Sequence, residues 1–286
     1  MDKILINKYI GQLSKEYEKG FYNLVLASST KKVEYHDKAN YIYSPNEDLE
    51  IIMETTKDSD KLTITNLDLH LESDSIWKFR IFKDMKVIDH SYLVNNMDNT
   101  GTYALRIVNS ICLGREIEEG DELEAKMCGF VLAANLFPDE ETFQKSLPKT
   151  KAGEASMTEN GSLMPIHLIN NYGGSSKNVR KATEFHLDDI IVTAKGTLRD
   201  IDKVDLKIHN NEFQPYFKAI IDTSFGELPI IFNGRTLSAD TKGFNPGYII
   251  VAEILLSADV CINEYEKYRK KSDYLKVMKA LQEKAE

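Results

Sequence analysis

Gly247-Tyr248-Ile249-Ile250-Val251-Ala252-Glu253-Ile254-Leu255-Leu256 is the run on which the fold class turns. It opens on a glycine and continues in β-branched and aliphatic side chains, the composition of a strand. An earlier run, Gly120-Asp121-Glu122-Leu123-Glu124-Ala125-Lys126-Met127, repeats its cadence: Gly, then Leu or Ile, Ala, and Met or Ile in step. Each follows a strand pair and a short loop (113–119 and 236–246), and each leads into a further apolar stretch. Duplication of one unit produces such a pattern. So does the ordinary way into any antiparallel strand, a glycine turn followed by alternating apolar residues. Equivalent places for Gly120 and Gly247 in their sheets would favour duplication.

Around Gly247 lie five β-favouring apolar runs, 190–198, 216–222, 227–232, 248–256 and 260–265, which predict a five-stranded barrel over 185–268. Gly196 interrupts the first run where a bulge would bend one strand across both sheets, and Thr223-Ser224-Phe225-Gly226 reads as the turn between the second and third. At the level of fold this resembles the oligonucleotide/oligosaccharide-binding (OB) barrel, with 236–243 in place of its helical connector.

Upstream, Leu67, Leu69 and Leu71 alternate with Asp68 and His70, and Trp77, Phe79 and Ile81 alternate with Lys78 and Arg80, the period of half-buried strands. The stretch 122–135 is nearly all apolar, which suits a strand covered on both faces or a strand pair joined at Gly129. The expected organisation is a mainly β chain of the α+β kind: a β-rich domain over 1–137 that admits a related barrel, a linker over 138–184, the OB-like barrel over 185–268 and an amphipathic helix over 269–286. Within the linker, 139–147 has helical character and 163–169 reads as a short extended piece. A second short helix is expected near the N-terminus, where Ile6, Ile10, Leu13 and Tyr17 fall at helical spacing.

The chain of 286 residues is 42% hydrophobic with a net charge of −9, apolar enough for real cores and acidic at its surface. No apolar run approaches the ~20 residues of a membrane-spanning helix. Residues 1–20 lack the apolar segment of an export signal, and Cys112, Cys128 and Cys261 are too widely spaced for a disulfide framework. The expected setting is the cytoplasm, with the cysteines as small core residues.

No phosphate-cradling loop, dinucleotide fingerprint, paired helical His or two-Cys knuckle occurs, so no cofactor is expected and an enzyme is disfavoured. The leading expectation is a binding or scaffold protein with a protein partner. Its acidic surface, including the ladder Glu116, Glu118, Glu119, Asp121, Glu122 and Glu124, suits a basic one. Tyr274, Leu275, Met278 and Leu281 line one face of the C-terminal helix and would dock a partner, or a second copy to give a homo-oligomer. That helix's mixed polar face argues against a membrane.

Two alternatives rest on particular residues. Lys195, Arg199, Lys218 and Arg235 beside Tyr216 would give the barrel phosphate contacts and a stacking ring for single-stranded nucleic acid, against an acidic balance that disfavours it. Asp68, His70 and Glu72, at period two on one strand face, would hold a divalent metal for hydrolysis, with Asp74 or His90 completing the shell.

Overall fold

A computed structural model describes residues 22–23, 25–58, 61–85, 90–97, 102–146, 164–165, 190–204, 207–208, 211–212, 216–223, 225–233 and 245–261. The first strands are β1 (Lys31–Tyr35), β2 (Lys38–Tyr43), β3 (Leu49–Asp58), β4 (Lys61–Leu71), β5 (Ile76–Asp84), β6 (Ser91–Asn96), β7 (Thr102–Ile107) and β8 (Glu122–Phe137). A helix α1 (Glu140–Ser146) follows. The later strands are β9 (Met164–Pro165), β10 (Ile191–Val204), β11 (Lys207–Ile208), β12 (Asn211–Glu212), β13 (Tyr216–Thr223), β14 (Gly226–Asn233) and β15 (Ile249–Val260). The protein is mostly β. Among the described residues no helix is long and apolar enough to cross a membrane.

β1 to β4 form an antiparallel meander. The remaining long strands pair in two circuits with the same plan. β5, β6 and β7 are a meander; β5 also pairs antiparallel with β8, and β7 lies parallel to β15. Likewise β10, β13 and β14 are a meander, β10 pairs antiparallel with β15, and β14 lies parallel to β8. β8 and β15 pair antiparallel with each other, so each belongs to both circuits.

The two glycines named at the outset occupy equivalent places. Gly120 donates its N–H to the Ile81 carbonyl (2.8 Å) while Ile81 donates to Asp121; Gly247 donates to Leu198 (2.7 Å) while Leu198 donates to Tyr248. Both have a left-handed backbone, φ 96° and 93°, which a glycine adopts without penalty. The cadence shared by the two runs is therefore a shared structural position.

One expectation needs correction. The runs 248–256 and 260–265 were expected to be separate strands, but Ile249–Val260 is continuous, because Ser257-Ala258-Asp259 contains no turn-forming pair. The fifth member of the later circuit is β8, contributed by the earlier half of the chain. β8 in turn is one strand through Gly129, covered on both sides there.

Gly129 sits opposite Leu256 at the crossing of β8 and β15. A Cβ at this position would lie 2.6 Å from Ile254 Cγ2 and 3.3 Å from Ile230 Cγ2, so only hydrogen fits. Gly196 is a similar close approach, since a Cβ there would meet the Asp222 carbonyl oxygen at 2.4 Å. It lies where β10 passes from pairing with β15 to pairing with β13, and the bulge itself is a few residues on, between Arg199 and Asp202. The turn at Thr223 joins β13 to β14 as expected, with the Phe225 N–H donating to Thr223 Oγ1 (3.1 Å). Asp139 caps α1 through its side chain to the Thr142 N–H (2.7 Å), and β9 pairs with Val192 and Thr193. Cys128 is buried as expected, whereas Cys112 is half-buried and Cys261 exposed.

Ile51 and Met53 of the meander, Phe79, Ile81 and Leu105 of the first circuit, and Leu198, Ile221 and Ile254 of the second belong to one contiguous apolar cluster. Overpacking its centre should therefore be costly. Gly129→Ala is expected to lower the unfolding free energy by roughly 1–3 kcal/mol, measured by urea denaturation; no loss would mean that the crossing is looser than described.

Candidate partner-binding cleft

A cleft of about 550 Å³ opens where the end of β4, the start of β5 and the outer face of β10, β13 and β14 meet. Its apolar lining includes Leu71, Ile76, Trp77, Ile220, Phe225 and Pro229. Trp77 is held in place: its indole N–H donates to the Glu227 carbonyl (3.2 Å), and its ring packs against Tyr103 (5.9 Å between centroids) and Phe225 (6.2 Å). Gly226, with φ 120°, leaves this indole uncrowded at the turn. Around the apolar lining stand Asp48, Glu72, Asp74, Asp200, Asp202 and Glu227, with Lys218 the one basic residue that lines the cleft. Lys218 is bonded to Asp48 (3.0 Å), whose loop is fastened by Asn46 Oδ1 accepting from the Asp48 and Leu49 N–H groups. Asp200 lies in the left-handed region (φ 47°) within the bulge of β10, a conformation that Asp tolerates better than most residues.

The residues expected to bind metal lie elsewhere, and apart. β4 is buried on both faces, so Asp68 and His70 do not face solvent opposite their leucines as the alternation suggested. Asp68 accepts two hydrogen bonds from the buried Arg106, from Nε at 3.0 Å and Nη2 at 2.9 Å. His70 is fully buried, with Nδ1 3.5 Å from Cys128 Sγ and Nε2 without a partner. Glu72 is exposed and paired with Lys126. Among the described residues no three His, Cys, Asp or Glu side chains are grouped to hold a metal ion.

His90 takes part in a chain that sequence reading missed. Its Nε2 is 2.6 Å from Glu54 Oε2 and its Nδ1 2.6 Å from Ser110 Oγ, residues far apart in sequence. Glu54 also accepts from Thr65 (2.9 Å) and pairs with Lys38 (3.4 Å). Hydroxyl, imidazole and carboxylate in series are the groups of a nucleophilic triad. Here Ser110 and Glu54 are both buried, and the chain links the meander to the two circuits. Cys128 is no nucleophile either, since burial pushes its thiol up to about 12.

The cations expected on nucleic acid are engaged. Lys195 is buried, bonded to Glu140 (2.8 Å) and lying over the Phe143 ring; Arg199 pairs with Asp222 and Glu227; Lys218 is on Asp48. Tyr216 is buried in the core. Arg235 and the tail residues Tyr274, Leu275, Met278 and Leu281 lie outside the described residues, as do both terminal helices of the sequence reading.

Comparison with protein-family models, with curated proteins and with solved structures finds no match to this chain.

The buried groups give a pH signature. Burial holds the His70 imidazole down to about 4, against 6.5 in an unfolded chain, so stability is lost as pH falls through that window. Asp259 has the opposite sign: burial, with Glu50 and Glu72 nearby, raises its carboxyl to about 6, so stability is gained as pH falls from 6 toward 4. Each shift corresponds to roughly 3 kcal/mol, and the two offset each other. Burial alone would raise Glu54, but His90, Lys38 and Thr65 outweigh it and pull the carboxyl down to about 2, so its contribution is lost below pH 4.5. Denaturant unfolding should give a nearly level stability from pH 6.5 to 4.5 and a decline below. In His70→Phe the Asp259 slope is unopposed and stability should rise on acidification from pH 6 to 4; a level profile in that variant would contradict the assignment.

Proposed function

We propose that this chain is a non-enzymatic binding protein that receives a segment of another protein in the cleft beside Trp77. The observation that carries the reading is the cleft's make-up: a fixed aromatic and aliphatic lining, ringed by exposed polar groups, at a junction of distant parts of the chain. Buried aromatic anchors inside a polar rim are the usual anatomy of a protein interface. The hydrogen-bonded and ion-paired groups elsewhere serve the packing of the meander on the circuits, which supports binding over catalysis.

We also read each circuit as a small barrel resembling the OB kind. In support, the first three strands of each form a meander, the third lies parallel to the fifth, and the fourth returns to the first. The fourth strand of each serves as the fifth of the other. On this reading the cleft lies over the first three strands of the later barrel, a face such barrels commonly use for ligands.

The test is site-specific photocrosslinking in the native host. A photoreactive residue in place of Ile76, in the cleft and 51% exposed, should reproducibly crosslink one or a few proteins identified by mass spectrometry. The same residue in place of Leu62, 44% exposed on the meander, should not. Equal capture at both positions, or none at 76, would refute the reading.

A further inference from the structure

We infer that the cleft takes a cationic, extended peptide segment, with arginine or lysine side chains laid against the Trp77 and Phe225 rings and their charges met by Asp74, Asp200 and Asp202. This deepens the reading of the cleft as a protein-binding site and rests on it.

Charge complementarity selects the occupant. The cleft is lined by six carboxylates and one ammonium, and that ammonium is already on Asp48. Glu72 and Glu227 are likewise met by Lys126 and Arg199. Asp74, Asp200 and Asp202 are exposed, and no ion pair engages them among the described residues. Other carboxylates on this surface are neutralised: Glu122 by Arg80 at 2.5 Å, Glu124 by Lys78 at 2.6 Å and Asp121 by Arg115 at 2.5 Å. The carboxylates left open are thus those that border the aromatic lining.

The chemistry of the two surfaces matches one class of side chain. A guanidinium or ammonium on an aliphatic stem buries its stem on apolar rings while its charge stays at the polar rim. Proximity to Trp adds a cation–π attraction of about 0.5–2 kcal/mol. An anionic peptide or a nucleic acid would place like charge against these aspartates. The volume accommodates a few side chains rather than a folded domain, which points to an extended segment. Rim-exposed pairs of this kind are screened, so affinity should be modest and sensitive to salt.

The chain carries a single tryptophan, Trp77, so its emission reports on the cleft directly. The full chain would be titrated at low salt with hexaarginine, hexalysine and hexaglutamate, all capped at both ends. Both cationic peptides should produce a saturable change in Trp77 emission, and hexaglutamate none. The double variant Asp200→Asn/Asp202→Asn should weaken hexaarginine at least about ten-fold, with its urea midpoint unchanged. The inference is overturned if no cationic peptide saturates the signal. It is equally overturned if the double variant binds as the parent does while Glu118→Gln/Glu119→Gln binds more weakly, which would put the cation on the acidic ladder. Should the cationic peptides fail while the crosslinker at position 76 still marks a partner, the occupant is uncharged and the binding cleft stands; if both fail, both readings fall.

Discussion

The antiparallel pairing of β8 with β15 is the constraint on which the rest of the molecule depends. Each strand closes the circuit of its own half and completes the other's, so neither set of pairings is whole without the crossing. At its middle the backbones come so close to Ile254 and Ile230 that the position opposite Leu256 must be a glycine. Cores are close-packed, and a crossing without room for one methyl group leaves few alternative registers. The cleft follows from it, because β5 and the face of β10, β13 and β14 come together only once both circuits share these strands.

Onto this frame the four-stranded meander is fastened with an unusual share of polar contacts. Arg106 and Asp68, His90 with Glu54 and Ser110, and Ser257 donating to the Leu69 carbonyl (3.2 Å) all lie in or near a buried layer. Such pairs add little net stability compared with apolar packing, but removing one partner strands a charge, so they specify one way of docking. They also explain why residue types suggestive of catalysis occur here without forming a reactive site. Their hydrogen-bonding capacity is consumed in holding two sheets together.

Much of this was legible in the sequence where the signal is local. Alternation in 76–81, the glycine strand entrances, the Thr223 turn and the helix after Asp139 follow from side-chain period and turn chemistry alone. What was hidden depends on long-range pairing. Asp68 and His70 alternate with leucines as they would on a solvated strand, and nothing nearby in sequence reveals that Arg106 and Cys128 cover that face. The exchange of β8 and β15 between halves is equally invisible, since a strand's sequence does not say which edge it will meet. The cleft joins Asp48, Trp77, Asp200 and Phe225 from four separate parts of the chain. Only the lone tryptophan and the period-two pair Asp200 and Asp202 hinted at it.

The central claim is that the shared strands make both halves one cooperative structure, and native-state hydrogen exchange across a series of sub-denaturing urea concentrations tests it most directly. The account predicts that core amides of β5, such as Phe79, and of β10, such as Ala194, reach the same limiting opening free energy as those of Cys128 and Leu256 at the crossing. A lower limiting value for either half alone, with the other still protected, would contradict it.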